Sequence, residues 1–569
     1  MHQPSTQPRP SLYYPYRVHE PWLPSQHEPV QHTAVAIVGA GPAGLVTALE
    51  LARHGVKSVV LNGELQVSQG SRAIVFTRRS MEILQQVGVA ARITEQGLPW
   101  RFGNSYFRGQ RVFRMEAAHD EHDRYFPMIN IQQQFLEQAL IDACRAQPLI
   151  ELRWGNLVVQ VEQLTQPQQG EGSVAAHIDT PEGLYTLRAD WLVAADGGRS
   201  GIRSMMNLKL EGASYEGIFV IADIRIDLPL PTERLAFFDP EWNPGNTVLM
   251  HREPHGIWRV DYQLPPGETP EEALRPESLR LRIDAQLAMI GHAGTPWEMD
   301  WSSVYSARTL TLPDYVHGHV VFTGDAAHLL PIFGVRGANT AFQDAQSLGW
   351  HLAMVVKGLA GPHLMANHSA ERVAAAREII DEAGKSTRFM APPSRGFRLL
   401  RDAVLSLSLS QDFVRPLYHW RTSRPHEYTH SMLNCADDDD ALFIAGPAHG
   451  APPRNVRLAP DDFLLDHLGG GFDLLVFTEA AAIEQPLQQA VATARSRGVP
   501  LRVVAIGAER PVAGADVTLA DAEGHCRQRY GVRGWGAAYL LRPDQHVCAR
   551  WLTLDATRLN AAWRATLPI

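Results

Sequence analysis

The amino-acid sequence predicts an α/β protein in which a parallel sheet, an antiparallel sheet and a smaller C-terminal α/β unit form from one chain of 569 residues. Continuous apolar runs such as Ala34–Val38 and Trp191–Ala195 are typical of buried parallel strands, and glycine-containing turns follow them. Strand-like pieces recur between Leu208 and Arg308, where a second sheet is expected. A strand, helix and strand pattern after residue 440 indicates the third unit.

The first element is a strand, a glycine-rich turn, a helix and a second strand. After Ala34–Val38, a turn with the sequence Gly-Ala-Gly-Pro-Ala-Gly opens a helix that runs to about His54, and Val59–Leu61 is the next strand. In such a βαβ unit the backbone at the second glycine, Gly41, approaches a pyrophosphate that lies on the helix N-terminus. The turn therefore predicts dinucleotide binding at Gly39, Gly41, Ala43 and Gly44.

The end of the second strand departs from this pattern. An acidic residue is expected there to bind the ribose hydroxyls, and the chain has Asn62 instead, with Glu64 nearby. Asparagine can still donate and accept hydrogen bonds, although it lacks the charge. Whether Asn62 or Glu64 holds the ribose is left open by the sequence.

Two further turns follow apolar strands. Asp196 ends the run Trp191–Ala195 and begins Asp-Gly-Gly-Arg-Ser. Asp325 follows Val320–Phe322 in Gly-Asp-Ala-Ala-His, and a helix with apolar residues at helical spacing starts near Asn339. The N–H groups at that helix start favour a carbonyl that must carry negative charge, as the N1–C2=O region of a reduced flavin does.

The three turns, in this order and at this spacing, resemble those of the single-component FAD-dependent aromatic hydroxylases, and the phenol and 3-(3-hydroxyphenyl)propionate hydroxylase branch in particular. The resemblance extends from Ala34 to the end of the chain. It implies a Rossmann-like FAD-binding domain with an interleaved antiparallel substrate sheet, as in p-hydroxybenzoate hydroxylase, and a thioredoxin-like C-terminal domain. Because the C-terminal part has no CxxC, packing or dimerisation is expected of it rather than redox activity.

The resemblance also assigns residues to the cofactor. Arg72, in Ser71-Arg72-Ala73, matches the turn beside the flavin, and Gln133 matches the glutamine that touches FAD, although Gln132 and Gln134 are close enough to shift the register by one. The family motif at Asp196 serves both FAD and the passing NADPH. Around the third turn, the expected FAD contacts are Asp325, Pro331, Gly337, Ala338 and Asn339.

Two positions in the loop before the last helix differ from the family pattern. Ile332 stands where many members have proline, and Val335 stands where they have glycine. Because valine does not readily adopt a positive φ, either the local path of this loop or how closely the flavin approaches there is expected to differ.

For chemistry, the resemblance implies an NAD(P)H- and O2-dependent monooxygenase that hydroxylates a phenolic ring through a flavin C4a-hydroperoxide. NADPH or NADH is expected as a transient reductant, because the chain has no second dinucleotide fold. Alternation on the strand Trp258–Tyr262 puts Arg259 and Asp261 on one face, and His251 ends a neighbouring strand. Arg259 is nominated to face the flavin, and Asp261 or His251 to take a proton from the phenol.

The expected domains are an extended N-terminal arm (1–32), an FAD-binding domain (33–204 and 309–410), a substrate-binding sheet domain (205–308), a linker (411–440) and the C-terminal domain (441–569). The arm is rich in proline and histidine and has no apolar signal core, so a secretory leader is not expected.

Composition restricts the partners. A content of 45% hydrophobic and 20% charged residues is that of an ordinary soluble protein, and a net charge of −9 argues against nucleic acid or an anionic membrane as partner. No apolar run approaches the roughly 20 residues of a membrane span. The cytoplasm is expected, no metal site is expected, and a homodimer is left open. The four scattered cysteines are expected to be free thiols: Cys144, Cys435, Cys526 and Cys548.

Two alternatives remain at this stage. One is an FAD oxygenase of the same fold that acts on a polyketide ring. It stays open because the sequence does not show the size of the substrate pocket. The other, more remote, is a flavin-binding protein without turnover. Reduction by NADPH that depends on an added phenol would separate them from the main interpretation.

Overall fold

The computed structural model describes residues 1–24, 30–70, 72–164, 173–265, 267–331, 333–418 and 424–567. The expectations for Ser71 and Ile332 lie outside these ranges. Within the described ranges, no helix is both long and apolar enough to cross a bilayer.

The first part of the chain forms a parallel sheet with its covering helices and the first strands of two other sheets. Its elements are β1 (Val30–Val38), α1 (Pro42–Arg53), β2 (Ser58–Asn62), β3 (Val75–Thr77), α2 (Arg78–Gln86), α3 (Ala90–Gln96), β4 (Leu98–Trp100), β5 (Phe102–Phe107), β6 (Gln110–Glu116), β7 (Met128–Asn130), α4 (Gln133–Arg145), β8 (Ile150–Trp154), β9 (Leu157–Gln163), β10 (Val174–Thr180), β11 (Gly183–Ala194) and α5 (Gly201–Met205).

The second part is dominated by long antiparallel strands. Its elements are β12 (Glu211–Arg225), β13 (Arg234–Phe238), β14 (Thr247–Arg252), β15 (Ile257–Gln263), α6 (Pro270–Ala273), α7 (Pro276–Met289) and β16 (Glu298–Thr311). One face of this sheet packs on α7, with Trp258, Val260 and Tyr262 against Ile283 and Leu287.

The chain then returns to the first sheet and continues into long helices and the C-terminal unit. The elements are β17 (Val316–His317), β18 (Val320–Phe322), β19 (His328–Leu329), α8 (Gly337–Val356), α9 (His363–Met390), α10 (Arg395–Leu407), β20 (Arg457–Ala459), β21 (Asp462–Phe463), β22 (Phe472–Thr478), α11 (Gln485–Ser496), β23 (Leu501–Gly507), β24 (Val517–Leu519), α12 (His525–Arg529), β25 (Ala538–Leu541), β26 (Val547–Trp551) and α13 (Ala556–Thr566).

The strand order of the first sheet is β17-β18-β11-β1-β2-β8, and β1 is parallel to both β2 and β11. We expect the segment from Glu151 to Leu187 to be an antiparallel ribbon, which is right for β9, β10 and β11 and wrong for β8. β8 pairs with β2 in parallel, because α4 returns the chain to the same end of the sheet. The carboxyl ends of β1, β2, β11 and β18 therefore meet at one edge, which carries the predicted turns.

The second sheet has the order β19-β16-β12-β15-β14-β13-β5-β6, so β5, β6 and β19 from the flanking segments complete it. The C-terminal sheet has the order β24-β23-β22-β25-β26, and its core includes Trp350 and Met354 of α8 and Leu364 of α9. The C-terminal unit is therefore packed directly on the helices that follow the third turn.

Candidate functional site

The first glycine-rich turn has two glycines that packing requires and one that faces open space. Gly39 has φ +113°, and a Cβ there would lie 2.3 Å from the carbonyl oxygen of Ala195. A Cβ on Gly44 would lie 2.0 Å from the carbonyl oxygen of Gly39, whereas a Cβ on Gly41 would meet no atom within 4 Å. Gly41 is the N-cap of α1 and no side chain caps the helix, so its first N–H groups are available to a pyrophosphate.

Asn62 lies beside this turn at the end of β2. Its Oδ1 accepts the N–H of Ala40 at 3.4 Å, and its Nδ2 donates to the carbonyl oxygen of Glu64 at 3.1 Å. The carboxylate of Glu64 is 53% exposed and pairs with Arg9 of the N-terminal arm at 3.0 Å. Of the two candidates for the ribose, Asn62 is thus the one directed at the turn.

The third turn packs directly on the first. Gly324 has φ +60°, and a Cβ there would lie 2.8 Å from the Cβ of Ala43. The side chain of Asp325 is exposed to the cleft between these turns. Desolvation by the surrounding protein raises the pKa of Asp325, and the neighbouring His328 and Arg72 side chains act in the opposite direction. A carboxylate that is accessible yet surrounded by protein suits a hydrogen bond to a ligand hydroxyl.

Gln133 holds the turn that carries Arg72. Its Oε1 accepts the N–H of Ala73 at 3.0 Å, and its Nε2 donates to Glu137 at 2.7 Å. Glu137 in turn accepts the N–H of Ser68 at 2.7 Å. The neighbouring glutamines point elsewhere: Gln132 donates to Pro254 of the second sheet and Gln134 to Tyr13 of the arm.

Asp196 lies between β1 and β18 at the same sheet edge. Its Oδ2 accepts the N–H of Ile202 at 3.0 Å, and its Oδ1 is buried without a hydrogen-bond partner among the described residues. Arg203 ties this turn to the third one, because it donates to the carbonyl oxygens of Gly198 at 2.8 Å and Ala326 at 2.9 Å. The three turns therefore form one connected surface.

The loop before α8 corrects the expectation about Val335. This residue has φ +56°, so the chain keeps the path that glycine would take. Asn339 explains how: its Nδ2 donates to the carbonyl oxygen of Val335 at 2.6 Å, and its Oδ1 accepts the N–H of Thr77 at 2.8 Å and the hydroxyl of Ser80 at 2.6 Å. The side-chain amide of Asn339 is thus used to fix the loop, which leaves its backbone N–H for a ligand.

Around Asn339 the surface for a ligand is made of backbone. A Cβ on Gly337 would meet no atom within 4 Å, and no side chain caps the start of α8. Ala338 follows in the first turn of this helix, and Pro331 is buried at the other end of the loop. The open helix end fits the carbonyl of a ring that gains negative charge.

The face of the second sheet opposite α7 carries a row of charged residues. Cross-strand pairing aligns His251 with Arg259, Arg259 with Asp223, and Asp223 with Trp301. Arg234 lies beside His251, one position beyond the pair Leu235 and Met250. The next row along the strands is mainly apolar and contains a single carboxylate; its members are Ala236, Leu249, Asp261, Ile221 and Ser303.

This face lies over the cofactor turns. The ring of Trp301 would lie 2.2 Å from a Cβ on Gly70, just before the Arg72 turn. At the other side, Phe219 contacts Phe333 edge-on with ring centroids 5.2 Å apart, and the hydroxyl of Tyr305 donates to the carbonyl oxygen of Leu330 at 3.0 Å. The charged row and the three turns thus lie close together.

The charges in this row are strongly coupled. Arg259 donates to both oxygens of Asp223, at 2.8 Å and 3.0 Å, and both side chains are buried. Burial raises the pKa of Asp261 to about 7, with Arg259 and Arg234 opposing the increase and Asp223 adding to it. Burial lowers the pKa of His251 well below its usual range, and the two arginines lower it further.

Sequence reasoning found Arg259, Asp261 and His251 but missed three charged neighbours. Asp223 neutralises Arg259, and Arg234 faces Asp261 and His251. Glu253 is buried, its two oxygens have no hydrogen-bond partner among the described residues, and burial together with Asp223 raises its pKa well above the usual range. The signal that could have found Asp223 is the alternation along β12, which places it on the same face as Phe219 and Ile221.

Known proteins share both sequence and fold with this chain. The 3-(3-hydroxy-phenyl)propionate/3-hydroxycinnamic acid hydroxylase of Paraburkholderia xenovorans is 29% identical over 67% of this chain and 61% of the relative, and that of Comamonas testosteroni is 30% identical over 67% and 63%. The chain thus covers less than two thirds of these relatives.

Solved structures match over a greater length. The flavin-dependent monooxygenase PieE, in complex with FAD and substrate, superposes with a TM-score of 0.77 at 24% identity, covering 94% of this chain and 99% of that one. Aklavinone-11 hydroxylase with FAD and aklavinone gives a TM-score of 0.75 at 24% identity and the same coverage. A model of the FAD binding domain family matches residues 32–383, more than half of the chain. The chain therefore belongs to the FAD binding domain family and has the overall fold of the flavin-dependent monooxygenases.

Proposed function

We propose that this chain is an NAD(P)H- and O2-dependent flavin monooxygenase that hydroxylates a phenolic ring. The observation that carries the proposal is Asp261, a buried carboxylate with a pKa of about 7, next to two arginines on the face that borders the flavin turns. The relatives named as hydroxylases of 3-(3-hydroxyphenyl)propionate support the same substrate class. FAD, when bound, supplies the activation of O2.

Residues on the charged face of the second sheet carry out the remaining steps of the reaction. Asp261 accepts the proton of the phenolic hydroxyl, because a base with a pKa near the working pH is efficient. Arg259 and Arg234 stabilise the resulting phenolate oxygen by charge in a site of low dielectric constant. His251 remains neutral between the arginines and orients the ring rather than acting as the base. The buried face of the sheet excludes water from the reacting atoms.

The geometry of the turns supports a set of proposed cofactor contacts. Gly39, Gly41, Ala43 and Gly44 are proposed to bind the pyrophosphate, and Asn62 rather than Glu64 the ribose. Arg72, Gln133, Asp196 and Asp325 would lie along the ribityl chain and ring. Pro331 and the backbone of Gly337, Ala338 and Asn339 would border the N1–C2=O region, where the open helix end stabilises negative charge. The C-terminal domain is proposed to be thioredoxin-like and to serve packing rather than redox chemistry.

The decisive experiment is stopped-flow reduction of the FAD-loaded protein by NADPH and by NADH, with and without a panel of phenols. Reduction should be slow alone and faster by orders of magnitude with a good substrate, and mass spectrometry should show one atom of 18O from 18O2 in the product. Equal reduction rates with and without every phenol, together with stoichiometric peroxide, would exclude a hydroxylase and favour an oxidase.

A second substrate class has its own support. One solved structure of the same fold holds aklavinone, so the polyketide-ring alternative is kept beside the phenolic one. The panel should therefore include polycyclic phenols, and the compound with the largest acceleration identifies the class.

A further inference from the structure

Buried charges connect the C-terminal domain to the helix that follows the flavin turns. Arg542, at the end of β25, donates to both oxygens of Glu371 on α9, at 2.7 Å and 3.0 Å. It also donates to Asp544 at 3.0 Å, and Asp544 accepts the indole N–H of Trp350 on α8 at 2.9 Å. Arg542, Asp544 and Glu371 have at most 3% of their side chains exposed.

Arg372, the residue after Glu371, extends this chain of ion pairs to the third turn. Arg372 donates to Asp344 Oδ1 at 2.6 Å, and Asp344 Oδ2 lies 2.6 Å from Nε2 of His328. The same Oδ2 accepts the N–H of Gly324 at 3.3 Å. Gly324 directly precedes Asp325, so the backbone that carries the proposed flavin contact is held by Asp344.

A second contact of the C-terminal domain supports the loop before α8. Arg79 of α2 donates to the carbonyl oxygen of Asp544 at 2.9 Å and to the side chain of Gln545 at 2.9 Å. The helix of Arg79 also contains Ser80, which donates to Asn339. The hairpin between β25 and β26 therefore contacts both α9, which holds Asp344 through Arg372, and α2, which holds Asn339 through Ser80.

We propose that Arg542 is a positioning residue for the flavin: through Glu371 and Arg372 it fixes Asp344, and hence Gly324 and Asp325, so that FAD affinity depends on the C-terminal domain. The inference rests on the proposed contact between Asp325 and FAD. Buried ion pairs suit this role, since removal of one partner leaves the other without compensation and forces its surroundings to rearrange. The ion pair with Arg542 also lowers the pKa of Glu371 to about 2 despite its burial, so the pair stays charged at neutral pH.

The test is a double-mutant cycle on the full-length protein with the FAD dissociation constant as readout. Arg542→Met should raise that constant about tenfold, and Arg542→Lys, which keeps the charge, should restore most of the affinity. Asp325→Ala alone should raise it about ten- to a hundredfold through loss of a charge-assisted hydrogen bond. In the Asp325→Ala background, Arg542→Met should add less than about twofold, because both act on one contact.

The matched control is Arg550→Met. Arg550 is a similarly buried arginine on β26, and its hydrogen-bond partners among the described residues are Asp440 and Pro447, which lie outside α8 and α9. Its replacement should lower thermal stability without changing FAD affinity by more than about twofold. If Arg542→Met fails to fold, Glu371→Gln removes the same ion pair from the other partner and gives the same readout.

The possible outcomes distinguish the inference about Arg542 from the proposed contact between Asp325 and FAD. Unchanged FAD affinity in a folded Arg542→Met or Glu371→Gln variant would overturn the inference, and so would an equal effect in the presence and absence of the Asp325 carboxylate. Unchanged affinity in Asp325→Ala alone would instead remove the proposed flavin contact.

Discussion

Asp261 gives the site a pH dependence with a definite sign. Its pKa of about 7 lies above the ordinary value for aspartate, so the basic form predominates only above that pH. Substrate-dependent hydroxylation should therefore rise as the pH passes from about 6 to about 8. Asp261→Asn should lose about a hundredfold or more in turnover and lose this dependence. A pH profile of turnover for both forms is the measurement, and an unchanged profile in the variant would move the base elsewhere.

The same pKa predicts an effect on stability. Because the folded state holds the proton more tightly than the unfolded state, the stabilising contribution of Asp261 is complete below the ordinary pKa and is lost as the pH rises through about 7. Asp261→Asn should thus raise the melting temperature more at pH 8 than at pH 5. Equal shifts at both pH values would contradict the raised pKa.

Val335 is a second residue at which local conformation can be tested. Its φ of +56° is costly for a branched side chain, and alanine at this position would keep most of the cost. Glycine is ordinarily less stabilising than alanine by about 0.4–1 kcal/mol, because it adds freedom to the unfolded chain. Here the order should reverse, with Val335→Gly more stable than Val335→Ala by about 1 kcal/mol. Urea unfolding of the two variants measures the difference; the ordinary order would mean that the loop relaxes.

At the scale of elements, substitutions in the first turn distinguish a glycine needed for FAD binding from one needed for folding. A Cβ at Gly41 meets open space, so the apo-protein of Gly41→Val should unfold within about 0.5 kcal/mol of the parent, while FAD binding falls about a hundredfold or more. Replacement of Gly44 by alanine pushes a Cβ against the backbone of Gly39 and should destabilise the fold itself by at least about 1–3 kcal/mol. Thermal unfolding and flavin fluorescence titration distinguish the two results, and full flavin occupancy in the Gly41 variant would refute the assignment of the turn.

The elements that the sequence predicts well are those whose pattern is local. The helix after the first turn ends at Arg53, and the expected strands at 59–61 and 258–262 are present with one residue added at each end. Each of these elements buries an apolar set of fixed period. The pairing of β8 is not local: its polar alternation suits an edge strand of either direction, and only the return of α4 decides that it is parallel.

The candidate site, too, is predictable from the sequence only where its pattern is local. Alternation could place Arg259 and Asp261 on one face, because two residues of one strand suffice for that inference. The row from Arg234 to Trp301 draws on five strands, and its register depends on hairpins and bulges that a single sequence does not specify. That is why the ion pair between Arg259 and Asp223 emerges only from the fold.

On the scale of the whole molecule, the N-terminal arm connects the two sheets. Tyr14 and Tyr16 are buried, and the hydroxyl of Tyr16 contacts Ser68 at 3.3 Å and Gly70 at 3.1 Å, on the loop that leads to Arg72. Asp300 of β16 accepts hydrogen bonds from the hydroxyl of Ser11 and the N–H of Leu12. The arm therefore holds the Arg72 loop against the substrate sheet.

This arrangement predicts the consequence of freeing the arm. Asp300→Ala removes the acceptor of two hydrogen bonds to a carboxylate, each worth about 1.5–3 kcal/mol, so the open population of the arm should rise about tenfold or more. Tryptic cleavage after Arg17, which is exposed, should accelerate by the same factor, since proteolysis follows the open population when closing is fast. Asp227→Ala, at an exposed carboxylate just after β12, is the control and should leave cleavage unchanged. Because the arm also holds the loop of Arg72, FAD should dissociate faster from the Asp300 variant than from the control. Equal cleavage rates in both variants would show that the buried tyrosines alone hold the arm in place.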